Sequence, residues 1–177
     1  GSVRFLFFGM IRPYKGVLDL LDAFRQVKGD HRLHIAGMPK YEDLQRAIEE
    51  SAEQDPVRVS LDLRFVSDYE LNELLAWCDV VVLPYRDILT SGSLLMAMSA
   101  GRPVVAPRAG LIPEYVDEDV GFLYDPKSSD ELANALKRSK TALASLPHMS
   151  DRVKQTASFF CWKKIAGRIA RLYQRVT

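Results

Sequence analysis

The sequence predicts a doubly wound, Rossmann-like α/β domain, a parallel sheet of about six strands with helices on both faces. Two observations carry this. Short apolar runs alternate with stretches of helical period along almost the whole chain. Several of those runs are apolar at consecutive positions, as strands covered on both faces are. Strand and helix in alternation then favour right-handed crossovers and a parallel sheet.

In chain order, the first strand is read at Phe5-Leu6-Phe7-Phe8, and Val17, Leu20, Leu21, Phe24 and Val27 recur behind it at the spacing of one helix stripe. A second strand at Leu33-His34-Ile35-Ala36 precedes a helix marked by Leu44 and Ile48. The third strand is placed from Leu61 to Val66, before a helix carrying Leu71, Leu74, Leu75 and Cys78. The fourth, Val80-Val81-Val82-Leu83, leads to a helix starting near Thr90. The fifth is Val104-Val105-Ala106, the sixth Phe122-Leu123-Tyr124, and Leu132 with Leu136 marks the helix after it. One boundary is expected, at Leu146-Pro147-His148. The division read is therefore residues 1–2 as a tag scar, 3–146 as the ligand-binding domain and 147–177 as a helical tail. In the tail Ile165, Ile169, Leu172, Tyr173 and Val176 form one stripe, and Lys164, Arg168, Arg171 and Arg175 another. The basic stripe is a solvated face or, alternatively, a patch for a membrane surface or a partner.

Bulk composition narrows the function. A formal charge of +1, from 24 Lys and Arg against 23 Asp and Glu, is too balanced for a protein that grips nucleic acid by phosphate neutralisation. Cys78 and Cys161 lie far apart, and His31, His34 and His148 make no zinc spacing, so a reduced, metal-free cytoplasmic protein is expected. No apolar run approaches the roughly 20 residues of a membrane span, and no signal-peptide pattern opens the chain.

In a doubly wound sheet ligands sit beyond the carboxyl ends of the strands. The loop after the first strand, Gly9-Met10-Ile11-Arg12-Pro13-Tyr14-Lys15-Gly16, has glycines at both ends and two cations beside a helix start. That combination suits a phosphate; plain loop charges are the competing reading. Neither the dinucleotide fingerprint nor the P-loop motif is present. After the fourth strand, Thr90, Ser91 and Ser93 around Gly92 suit a helix start with hydroxyls and amides pointing outward, either a second anion seat or an ordinary cap. Glu114 reads as the start of a short helix, with a ligand contact as the alternative, Arg102 as a surface turn residue, and Trp77 and Trp162 as packing residues rather than stacking platforms.

Taken together, the ordered blocks Phe7-Phe8-Gly9 with Lys15-Gly16; Ile35-Ala36-Gly37; Cys78-Asp79-Val80-Val81-Val82-Leu83-Pro84; Ala97 to Ala106; Pro113-Glu114; Val120-Gly121-Phe122-Leu123; and Phe160-Cys161-Trp162 resemble the C-terminal domain of GT-B glycosyltransferases of family 4. The resemblance implies a metal-free and cofactor-free transferase domain. In it Arg12 and Lys15 stabilise the departing diphosphate of a UDP- or GDP-sugar, and the hexosyl group passes to a glycan or lipid-linked acceptor held by an absent N-terminal domain. A non-catalytic sugar-nucleotide or phosphate-binding module of the same fold is the alternative. The positions expected to contact the donor on this resemblance are Gly9, Gly37, Val66, Ser67, Thr90, Ser91, Gly92, Ser93, Leu94 and Met96. Polysaccharide assembly at the inner face of the membrane, with peripheral membrane association, follows from the same resemblance. So does a last helix that packs back onto the first domain, leaving Ile169 and Tyr173 either partly uncovered here or buried against another copy.

Two departures stand out. The family often has Arg directly after the glycine matched by Gly9, where this chain has Met10. The family's glutamates, eight apart, fall at Ile88 and Met96, which hydrogen-bond no hydroxyl, and Thr90, Ser91 and Ser93 are the residues placed to substitute.

Overall fold

The structure, a computed structural model, describes residues 1–128, 130–160 and 162–176. The reading of Cys161 lies outside the described residues, and so do those of the side chains of Trp162, Arg168, Arg175 and Val176.

Six strands form one parallel sheet: β1 (Arg4–Phe8), β2 (Arg32–Ala36), β3 (Val59–Asp62), β4 (Val80–Val82), β5 (Val104–Pro107) and β6 (Gly121–Tyr124), in the order β3-β2-β1-β4-β5-β6. Consecutive apolar residues are buried together, as the two-sided cover requires: Phe5, Leu6 and Phe7 are all buried, as are Val80, Val81 and Val82. The helices are α1 (Val17–Arg25), α2 (Glu42–Ala52), α3 (Asp68–Trp77), α4 (Gly92–Ser99), the single turn α5 (Ile112–Tyr115), α6 (Glu131–Thr141), α7 (Leu146–Ser158) and α8 (Trp162–Val176). On one face α1 packs against α2 and α6; on the other, α4 packs against α7 and α3 covers β1. The stripe predicted for α1 is buried in full, Val17, Leu20, Leu21, Phe24 and Val27 alike. Trp77 meets His34 edge-on at 6.0 Å and lies 5.8 Å below the Arg4 guanidinium, a packing position.

Two sequence expectations shift. The third strand runs over Val59–Asp62 rather than 61–66, because Val59 pairs with Leu33 at its start and the chain turns after Asp62, where the Arg64 N–H donates to the Asp62 carbonyl at 3.0 Å. Apolarity at Leu63, Phe65 and Val66 suggested a longer strand, but Phe65 is exposed. The boundary expected at 146–148 falls in the first turn of α7. Leu146, Met149 and Val153 of α7 are buried in the main core, and the Ser150 hydroxyl donates to the Gly101 carbonyl at 2.6 Å. Residues 146–158 therefore pack as part of the domain. On α8, Ile169, Leu172 and Tyr173 are exposed.

The sheet order reverses between β1 and β4, which lie side by side although their crossovers run in opposite directions. This is the switch point where open α/β sheets leave a crevice at their carboxyl edge. The loops after β1 and β4 flank it.

Candidate phosphate site at the sheet switch point

The loop after β1 is braced by its neighbour. Gly9 N–H donates to the Ala36 carbonyl at 3.0 Å, Ile11 N–H to Met38 at 2.9 Å, and Lys40 N–H back to Ile11 at 2.9 Å. Buried Ile11 pins the loop's middle, which leaves Arg12 projecting into solvent. A single 3-10 turn, Pro13–Lys15, then swings Lys15 back toward β4 before Gly16 (φ 67°) opens α1.

The loop after β4 closes on it from the other side. Arg86 N–H donates to the Tyr14 carbonyl at 2.8 Å, and the Arg86 guanidinium grips Asp19 through two bonds of 2.5 and 2.6 Å. A Cβ on Gly16 would lie 1.9 Å from the Pro84 carbonyl oxygen, so only glycine lets the two loops meet this closely. Tyr85, buried between them, sets its ring 5.5 Å from Lys15 Nζ and its hydroxyl 3.3 Å from Ser91 Oγ.

Ser91 caps α4, its hydroxyl accepting the Leu94 N–H at 3.1 Å. The amides of Gly92 and Ser93, in the first turn, have no acceptor within the helix, and the helix dipole adds partial positive charge there. Nothing crowds Gly92.

These parts converge over Gly9. A Cβ placed there would meet Ser93 Oγ at 3.4 Å and Lys15 Nζ at 3.5 Å, so an ammonium from one loop and a hydroxyl from the other face the same small volume above a bare backbone. Burial, and secondarily the charge of Arg12, lowers the Lys15 amine below its ordinary value. Neither Lys15 nor Arg12 forms an ion pair among the described residues; Arg12 Nε–H donates only to Met10 Sδ at 3.4 Å. An unpaired, half-buried cation beside free amides is arranged to receive an anion.

Other expected positions sit differently. Gly37 (φ 146°) is needed by the protein itself: a Cβ there would be 1.9 Å from the Gly9 carbonyl oxygen. Val66 and Ser67 follow β3, two strands from Gly9, and Ser67 is engaged in the capping box of α3. Its hydroxyl accepts the Glu70 N–H, and the Glu70 carboxylate takes the Ser67 N–H at 2.8 Å. Hydrogen bonds from Arg64 and then Ser67 hold that carboxyl down at about 2. The Leu94 side chain is buried in the core, so only its backbone faces the helix start. Met96 is exposed and lines an apolar hollow with Asn72, Leu75 and Leu95, away from the Lys15 cluster. Ile88 is half-buried. Thr90 lines a cavity of about 130 Å³ with Ser91, Gly92, Leu94, Leu111 and Tyr115, adjoining the helix start. A second hollow, about 230 Å³, carries Asp19, Asp22 and Asp130 and is of the wrong sign for a phosphate. Glu114 lies in the first turn of α5, and Arg102 donates to the Ala76 carbonyl at 3.1 Å.

Sequence reasoning missed Tyr85, Arg86 and Asp19. For Tyr85 and Arg86 the available clue was their place just past the buried fourth strand, opposite the cationic turn; for Asp19, in the first turn of α1, the sequence offered none. Among the described residues no cluster of His, Cys, Asp and Glu is placed to hold a metal ion, and no helix is long and apolar enough to cross a membrane.

Comparison with known proteins bears on this geometry. The family described as Glycosyl transferases group 1 matches residues 2–140. A "GDP-mannose:glycolipid 4-beta-D-mannosyltransferase" of Xanthomonas campestris pv. campestris is 40% identical over 126 residues, which cover 69% of this chain and 36% of that protein. An "MMP alpha-(1->4)-mannosyltransferase" of Mycolicibacterium hassiacum is 31% identical over 169 residues, covering 92% and 40%. The chain thus spans well under half the length of these curated relatives. Among solved structures, Anabaena HepE in complex with UDP superposes with a TM-score of 0.86 at 26% identity, over 98% of this chain and 49% of that one.

Proposed function

Because the chain belongs to the glycosyl transferases group 1 family, we propose that it is the nucleotide-sugar-binding domain, the C-terminal half, of a GT-B glycosyltransferase of family 4. The observation that carries this reading is the meeting of Lys15 Nζ and Ser93 Oγ over Gly9 at the switch point. The donor is a UDP- or GDP-sugar, which fits the UDP bound by HepE and the GDP-mannose in the name of the Xanthomonas relative.

In the reaction the acceptor hydroxyl forms a bond to the anomeric carbon and gives its proton to a base of the second domain, while the bond from that carbon to the diphosphate oxygen breaks, its electron pair leaving with the nucleotide. Negative charge grows on the diphosphate. Lys15, the Ser93 hydroxyl and the amides opening α4 face that charge, with the solvent-exposed Arg12 at the rim free to swing onto a bound diphosphate, and preorganised donors of this kind typically contribute ~10²–10³ each in rate. The charge is met by side chains and helix dipole, with no metal or cofactor in the scheme. The acceptor, a glycan or a lipid-linked saccharide, belongs to a second domain, so this domain alone binds donor and turns over poorly. Polysaccharide assembly in the cytoplasm, with peripheral contact to the membrane, is the setting that fits.

Ile88 and Met96, at positions where the family carries glutamates, favour one second reading, a binding module of the same fold without catalysis. Calorimetric titration with UDP, GDP and ADP tests the common core: binding of UDP or GDP is expected, and failure of all three refutes both readings. Release of UDP or GDP from the corresponding sugar nucleotide by the full-length protein then separates enzyme from module.

A further inference from the structure

An aromatic ring stands inside the candidate site. Tyr85 lies three residues past the end of β4, is 2% exposed, and stands between the cationic turn and the start of α4. Its ring lies 5.5 Å from Lys15 Nζ, inside the range of a cation–π contact. Its hydroxyl lies 3.3 Å from the Ser91 Oγ that caps α4. One side chain thus touches both halves of the cradle. The groups facing the Lys15 ammonium are Arg12 from its own loop, the Tyr85 ring from the loop after β4 and the Ser93 hydroxyl from α4; no carboxylate pairs with it among the described residues.

A lysine side chain with a half-buried stem and no carboxylate partner has several rotamers open to it, and fixing one costs entropy on binding. A ring face under the ammonium selects the rotamer that points over Gly9. A carboxylate in that place would hold the cation more firmly, but it would also neutralise it and repel the incoming phosphate. The quadrupole of the ring holds the charge without cancelling it.

We propose that Tyr85 is the positioning residue of the donor site: its ring presents the Lys15 ammonium to the diphosphate. This rests on the donor-site reading above and adds to it a residue that acts through Lys15 rather than on the ligand.

The test compares Tyr85→Phe and Tyr85→Met, with and without Lys15→Met, by calorimetric titration with UDP and GDP between pH 7 and 10.5, each variant first checked for a native circular-dichroism spectrum and melt. Tyr85→Phe keeps the ring and should bind within about threefold of the wild type. Tyr85→Met keeps the apolar volume and should weaken binding about tenfold. Its alkaline loss of binding should move to lower pH, because the ring stabilises the charged amine. In the Lys15→Met background the same change should cost less than about twofold. Equal affinities of Tyr85→Met and wild type, an unmoved alkaline limb, or additive losses in the double variant would overturn the proposal. If Tyr85→Met does not fold, the alkaline limb of Tyr85→Phe decides: the ring is retained, so the limb should stay where the wild type has it, and a limb moved to lower pH would exclude the ring as the platform. Absence of binding by the wild type would instead strike at the donor-site reading itself.

Discussion

Substituting Gly16 by alanine probes the contact that holds the two loops of the candidate site together. The new Cβ would sit 1.9 Å from the Pro84 carbonyl oxygen, 3.1 Å from its carbon and 3.3 Å from Asp19 Oδ2. A relaxed carbon–oxygen contact is about 3.3–3.6 Å, so one backbone must retreat by roughly 1.5 Å. At φ 67° the residue is also in the left-handed region, which costs a side-chain-bearing residue about 1–2 kcal/mol. Adding the displaced packing, a loss of about 2–4 kcal/mol in unfolding free energy is expected, read from urea denaturation followed by circular dichroism. The retreat also drags Pro84 and Tyr85 away from Lys15. Nucleotide affinity should therefore fall by more than tenfold in protein that is still fully folded at low temperature. A variant within about 0.5 kcal/mol of the wild type and with unchanged UDP or GDP affinity would refute the claim that this close approach fixes the site.

Lys15→Met removes an unpaired, half-buried cation. It should weaken nucleoside-diphosphate binding by about 1.5–3 kcal/mol, measured calorimetrically. The same change should slightly stabilise the free protein at neutral pH. The folded amine has a lowered pKa, so the charged form is disfavoured by folding; the penalty is present below the folded pKa and is relieved as pH rises through it toward the unfolded value. The partial exposure of Lys15 keeps this gain small, and a thermal melt at pH 7 and at pH 10 should show it shrinking. Val153→Ala, at a fully buried position of α7, should cost about 2 kcal/mol in urea denaturation, whereas a helix that merely trails from the domain would cost nothing. Burial pushes the Cys78 thiol up to about 12, so in a Cys161→Ser variant iodoacetamide should label Cys78 only after unfolding, as mass spectrometry would report.

Much of the architecture could be read from residues in order. Runs such as Val80-Val81-Val82 leave no polar face, and that alone demands helices on both sides of the sheet. Strand order was not legible in the same way, because nothing local in β4 says that it pairs with β1 rather than with β3. The third strand was misplaced since Leu63, Phe65 and Val66 look as apolar as Val59, and only the pairing with Leu33 decides between them. The cationic turn was legible because Arg12 and Lys15 stand between two glycines directly after a buried apolar strand, a pattern that local sequence alone displays. Tyr85 was hidden for the opposite reason: an aromatic residue after a buried strand is usually core, and Tyr85 is core on one side. Gly37 has a packing reason that its local sequence does not reveal. The residue it makes room for is Gly9, which lies 28 positions earlier in the chain and beside it in space.

The reversal of strand order between β1 and β4 has a consequence for how this domain would respond to a ligand. One wall of the crevice is built from the first quarter of the chain and the other from its middle, joined by a narrow seam in which β4 contributes only three residues. A molecule seated there is a rivet across that seam. Amide exchange should slow on both flanks together when it binds, with the backbone of β1 and β4 protected in step and the outer strands β3 and β6 scarcely altered.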